Sequence, residues 1–227
     1  MNLIFQRGQF RMLYQIISGR YETGTQDQQQ SYMQLFGEED IQFRFDLYFH
    51  WYNLVHELGH CLLSSRKISM DPVQEELYVN RFAVAYWKIA DQGGNLLRLK
   101  EMIAQILNQI PSPVPPDVDF IAHFQSIWGS EAMQTVAMYG YLQLACVAEA
   151  MKAGNGLGEV LHEIGISAVQ PDSMQKYRGE VSAERAYDVI DLCLKNLSAA
   201  GVALDDCQIE LKLVDNPEIQ CAQIIEQ

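Results

Sequence analysis

Ile41-Gln42-Phe43-Arg44-Phe45-Asp46-Leu47-Tyr48-Phe49-His50-Trp51-Tyr52-Asn53-Leu54-Val55-His56-Glu57-Leu58-Gly59-His60 reads either as a strand or as a helix, and the fold turns on the choice. Ile41, Phe43, Phe45, Leu47 and Phe49 alternate with polar or amphipathic residues, the period of a half-buried strand. Ile41, Phe45, Tyr48, Tyr52, Val55, Gly59 and Leu62 fall instead three and four apart, the stripe of an amphipathic helix. The helical register continues without a breaker beyond His60, so a helix over roughly 43–65 is predicted.

That helix carries His56-Glu57-Leu58-Gly59-His60, an H-E-x-x-H sequence. Residues four apart share a helix face, so both imidazoles reach a single ion. Glu57 is rotated by about a third of a turn, close enough to act on a metal-bound water without ligating the metal itself. Zinc suits such a site, because neutral imidazoles and a carboxylate are its ordinary ligands. A second stretch, Leu161-His162-Glu163-Ile164-Gly165-Ile166, echoes the motif but ends in Ile where the second His belongs. It cannot chelate through an i, i+4 pair, and His162 reads as an ordinary helix residue.

A catalytic zinc takes three protein ligands and keeps one open position. Asp71-Pro72 marks the next helix start, with Asp as the cap and Pro in the first turn. A short connection from Ser65 to Asp71 makes an antiparallel helical hairpin. His60 and Glu76 each lie five residues from its ends, about 7–8 Å from the turn at about 1.5 Å per residue, and are therefore level. His56 and Asn80 are level by the same count, and Glu76 and Asn80 share a face. Glu76 is accordingly the expected third ligand, with Asn80 placed to accept from the free N–H of a histidine. Glu75 is the rival ligand, although its place in the first turn of the helix also suits a solvated carboxylate at the positive end of the dipole.

Val55-His56-Glu57-Leu58-Gly59-His60-Cys61-Leu62-Leu63, followed by Glu75-Glu76-Leu77-Tyr78-Val79-Asn80-Arg81-Phe82-Ala83, resembles the ImmA/IrrE-type gluzincin metallopeptidases. These pair an H-E-L-G-H helix with a downstream E-x-x-A-N-x-F-A helix. The resemblance covers about 30 of the 227 residues. It implies His56, His60 and Glu76 as zinc ligands and Glu57 as the catalytic carboxylate. The chain departs from the pattern at Val79, where Ala is common, and at Ser64-Ser65, where a further His often follows.

Outward from the hairpin, the expected fold is predominantly α, with α+β also open. A zincin-like helical core would span residues 1–110, and a helical region over 111–227 would pack onto the same domain. Pro111-Ser112-Pro113-Val114-Pro115-Pro116 is the best linker between them. Further helices are expected at Asn95 to about Ile110 and near 117–128, 131–152, 157–165 and 181–198, with a short strand over Gln208–Val214. In the N-terminal part, Phe10, Leu13, Tyr14 and Ile17 recur at helical spacing up to Ser18-Gly19-Arg20, and Thr23 to Gln30 reads as a polar loop.

The composition bounds the function. A net charge of −13 and a pI near 4.7, with no Lys/Arg run, argue against a nucleic-acid partner. No stretch of about 18 uncharged apolar residues suggests a membrane span, and the first residues lack the apolar core of a signal peptide. Five scattered cysteines without a C-x-x-C pair favour a reducing cytoplasm. Cys61, about 100° round the helix from His60, reads as a packing residue. The expected activity is zinc-dependent hydrolysis of a peptide or protein. The metal lowers the pKa of its water towards about 7, and Glu57 accepts the proton and later delivers it to the leaving amine. Tyr139, Tyr141, His123 and His162 are all available to stabilise an oxyanion, and nothing in the sequence selects among them. The alternative is a non-enzymatic regulatory or interaction protein that keeps the zinc site, for which the large helical remainder of the chain speaks.

Overall fold

The computed structural model describes residues 2–7, 12–167, 169–202, 204 and 207–215. Its elements, in chain order, are β1 (Asn2–Arg7), β2 (Met12–Gly19), α1 (Gln26–Phe36), α2 (Ile41–Asp46), α3 (Asn53–Ser65), α4 (Pro72–Ala90), α5 (Asn95–Gln109), α6 (Phe120–Ile127), α7 (Val136–Ala153), α8 (Leu157–Glu163), α9 (Ala186–Ala199) and β3 (Cys207–Val214). The fold is predominantly helical. One small sheet of order β1-β2-β3 joins the two ends of the chain, with β1 antiparallel and β3 parallel to the central β2.

The ambiguous opening stretch is helical throughout. Between α2 and α3 the helix widens into a π-helical segment, Leu47–Tyr52, so the chain runs unbroken from Ile41 to Ser65. The wider turn brings Tyr48, His50, Trp51 and Tyr52 all into the interior. This explains why Phe43, Phe45, Leu47 and Phe49 mimic a strand: apolar residues are needed around most of the circumference. Inside the segment His50 Nδ1 lies 2.5 Å from Asp46 Oδ1, and its Nε2 meets the Gly19 carbonyl at 3.1 Å, which ties the end of β2 to this helix.

Two expectations fail at the N-terminal end. Leu13, Tyr14 and Ile17 belong to strand β2 and not to a helix, while Phe10 lies outside the described residues. Period two wins here: Tyr14, Ile16 and Ser18 are buried, while Leu13, Gln15 and Ile17 are half-buried on the opposite face. The run read as a polar loop contains the start of α1. Thr25 caps it by accepting from Gln28 N, and Gln28 Oε1 accepts from Thr25 N at 2.8 Å, so the glutamines build a capping box.

The Asp71-Pro72 start works as read. Asp71 Oδ1 accepts from Val73 N at 3.0 Å ahead of Pro72 and starts α4. Asp119 caps α6 and Thr135 caps α7 through their side-chain oxygens. The stretch expected as one helix over 131–152 is divided at Thr135 into a single 3₁₀ turn and α7. One hydrophobic core runs through both halves, from Leu58, Phe82 and Trp87 to Leu144, Val147, Leu161 and Leu197. Trp51 stacks on Trp87 at its centre, with ring centroids 3.9 Å apart. Among the described residues no helix is long and apolar enough to cross a membrane.

Candidate metal centre

Helices α3 and α4 run antiparallel. Residues near the connection face each other, His60 with Glu75 and Glu76, and residues farther away do likewise, Tyr52 with Asn80. Gly59 allows the approach. A Cβ at this position would sit 3.0 Å from Val79 Cβ and 3.1 Å from Phe82 Cδ1, so a larger residue would require these α4 side chains to give way. The central glycine of the motif therefore sets the distance across which the imidazoles meet the carboxylate.

His56 Nε2, His60 Nε2 and Glu76 Oε2 converge. The two histidine nitrogens are 3.3 Å apart, and the carboxylate oxygen lies 3.5 Å from His56 and 3.9 Å from His60. His56, His60 and Glu76 form a buried group that could hold one metal ion. Glu76 Oε2 is enclosed and accepts no hydrogen bond, which leaves a lone pair directed at that point. Glu57, half-buried on the flank, accepts from Asn53 Nδ2 at 3.1 Å, one turn earlier on α3.

Burial and neighbouring charged groups shift the titration of all three donors. Burial opposes the charge on His60, yet Glu75, Glu76 and Glu57 outweigh it and push the pKa up to about 9. Burial, followed by the neighbouring His60 charge, holds His56 well below its ordinary value. Burial also raises the Glu76 carboxyl, against the pull of His60 and of Gln143.

Glu75 contributes without pointing at the convergence. Its Oε1 lies 2.7 Å from His60 Nδ1, where it fixes the tautomer and orientation of that ring. Asn80, fully buried, accepts from the Tyr52 hydroxyl at 2.8 Å and donates to the Glu76 carbonyl at 2.8 Å. Its amide also faces the His56 ring, whose Nδ1 makes no hydrogen bond of good geometry. Of the four oxyanion candidates, Tyr139 is at the site, its hydroxyl 3.4 Å from Glu76 Oε1. Tyr141 stacks on Phe124 instead, His123 also lies against Phe124, and His162 is exposed on α8. Cys61 is fully buried and outside the donor group.

Sequence reasoning did not single out Gln143, Asn53 or Tyr52. Asn53 precedes Glu57 by four residues, and Gln143 follows Tyr139 by four in an otherwise apolar helix; both spacings were available as signals. Compared with family models, curated proteins and solved structures, the chain matches none.

Proposed function

We propose that this protein is a zinc-dependent metallopeptidase of the ImmA/IrrE type. The triangle of His56, His60 and Glu76 donors carries the reading. Bonds of about 2.0–2.2 Å at tetrahedral angles put neighbouring ligand atoms about 3.4 Å apart, and the three donors lie 3.3, 3.5 and 3.9 Å apart. Two imidazoles and one carboxylate leave the fourth corner open, as in hydrolytic and not structural zinc sites. The Glu75–His60 contact supplies the carboxylate support that ligating histidines ordinarily receive.

Zinc bound there supplies Lewis acidity, acidifying water and polarising a carbonyl oxygen. The chain's own groups do the rest. Glu57, steadied by Asn53, takes the proton from the attacking water and passes it to the leaving nitrogen. Tyr139, whose hydroxyl lies 3.4 Å from Glu76 Oε1, would donate a hydrogen bond to an oxyanion formed there. Cys61, Cys146 and Cys193, buried and in no disulfide among the described residues, agree with a reducing compartment such as the cytoplasm.

One observation favours the second reading, a regulatory protein that keeps the zinc. His56 is 3% and Glu76 6% exposed, with α7 laid over them. The two readings separate on a Glu57→Gln variant, assayed for zinc by elemental analysis and for cleavage of a quenched-fluorescence peptide library. The expected result is full zinc and hydrolysis slower by about 10²–10⁴-fold. Equal cleavage by wild type and variant, or none by either, would sink the enzymatic reading.

A further inference from the structure

Among the described residues ten polar side chains are buried, and three of them carry an enclosed nitrogen or oxygen with no hydrogen-bond partner: His56, Glu76 and Gln143. The first two are donors of the metal group. Gln143 is 7% exposed, and neither Nε2 nor Oε1 makes a hydrogen bond of good geometry, although the amide is turned towards the Glu76 carboxylate and the Tyr139 hydroxyl. Burying a carboxamide without partners is costly, and its neighbours on α7, Leu142, Leu144 and Cys146, are the apolar residues that core packing prefers. Gln143 lies one helical turn beyond Tyr139, on the same face, and its carboxamide neighbours both the Tyr139 hydroxyl and the Glu76 carboxylate. A donor and an acceptor without well-formed hydrogen bonds therefore stand side by side next to the His56, His60 and Glu76 group.

We propose that Gln143 binds the main chain of the substrate, Nε2 donating to a backbone carbonyl and Oε1 accepting from a backbone N–H next to the bond being cut. The inference rests on the metallopeptidase reading and specifies its ligand. One residue of an extended chain presents its N–H and its C=O to the same side, and so satisfies both ends of the carboxamide. A carboxylate or phosphate would satisfy only Nε2, and a hydrocarbon neither. The substrate is thus recognised by its amide backbone at this position, whatever its side chains.

The test uses zinc-loaded wild type, Gln143→Met and Gln143→Leu, titrated with acetohydroxamate and with a tri-alanyl hydroxamate. Both probes anchor on the metal, but only the second offers peptide units to Gln143. Acetohydroxamate should bind all three proteins alike, and the tripeptide probe should bind the variants on the order of tenfold more weakly. The metal-free Gln143→Met protein should melt at or above the wild-type temperature, because an unpartnered buried amide has been removed. Equal tripeptide affinity in wild type and variants overturns the role of Gln143 while leaving the metallopeptidase reading intact. Lower zinc affinity together with a lower melting temperature in both variants overturns it too, since Gln143 would then serve only to position Glu76. A zinc-loaded wild type that binds neither hydroxamate overturns the metallopeptidase reading, and the proposal with it.

Discussion

Two stretches of this chain begin with the same letters and end in different places. Val55-His56-Glu57-Leu58-Gly59-His60 lies inside α3, whereas Leu161-His162-Glu163-Ile164-Gly165-Ile166 closes α8. Both lean on α4. In the first, Gly59 is a helical residue that lets Val79 and Phe82 approach to about 3 Å of where a Cβ would be. In the second, Gly165 adopts a φ of +79° and ends the helix. Glu57 remains beside the metal group, while Glu163 makes a two-pronged ion pair with Arg81, both contacts at 2.7 Å. Two things separate a candidate metal site from a surface salt bridge here: a second histidine one turn on, and a glycine used for closeness instead of termination.

The comparison breaks most visibly at the histidines. His60→Ala should abolish stoichiometric metal binding, whereas His162→Ala should leave it unchanged, as read by elemental analysis after dialysis. Metal retained by His60→Ala would remove the distinction altogether. The carboxylates come next. Glu75→Gln should weaken metal affinity by about 10–100-fold through loss of its hold on His60, measured by competition with a chromogenic chelator. Glu163→Gln should leave metal affinity alone and cost at most about 1 kcal/mol of stability, because its pair with Arg81 is largely exposed.

The glycines give a finer test. Gly59→Ala inserts a methyl group against α4 and should cost about 1–3 kcal/mol in denaturant unfolding, with weaker metal binding as the helices part. Gly165→Ala strains a left-handed residue and should cost about 1–2 kcal/mol without touching the metal. Equal effects on metal affinity would show that helix spacing does not govern the site.

The smallest effect is in protons. The folded pKa of His60, about 9, lies above its ordinary 6.5, so in metal-free protein its charge stabilises fully below about pH 6.5. That contribution is lost as the pH rises through about 9. A metal must displace the same proton, so its apparent affinity should rise roughly tenfold per pH unit between these limits. Calorimetric titration in buffers of different ionisation enthalpy should report about one proton released per metal bound at pH 8. A heat independent of buffer would contradict the protonated His60.

Much of the site was legible because it is local. The i, i+4 histidines, the Asp71-Pro72 start and equal distances from a short turn were enough to bring His56, His60 and Glu76 together. Glu75 was harder: one residue of rotation separates a ligand from the group that orients a ligand, and the sequence offered Glu75 only as a rival ligand or a solvated carboxylate. Tyr139 and Gln143 come from beyond the proline-rich connection, so no count along the chain could bring them over Glu76. The strand β2 was hidden for a different reason. Its partner β3 lies near the other end of the sequence, and four apolar residues in a short window fit either period.

That remote pairing has a thermodynamic consequence. Gln15 and Glu210, hydrogen-bonded across β2 and β3, are 195 residues apart, while His60 and Glu75 are separated by 15. Closing the larger loop costs about 2 kcal/mol more chain entropy, at about 0.6 kcal/mol per doubling. The sheet is therefore the costlier closure and the helical hairpin the cheaper one. Because His56, His60 and Glu76 all stand on the hairpin, opening the sheet need not disperse them.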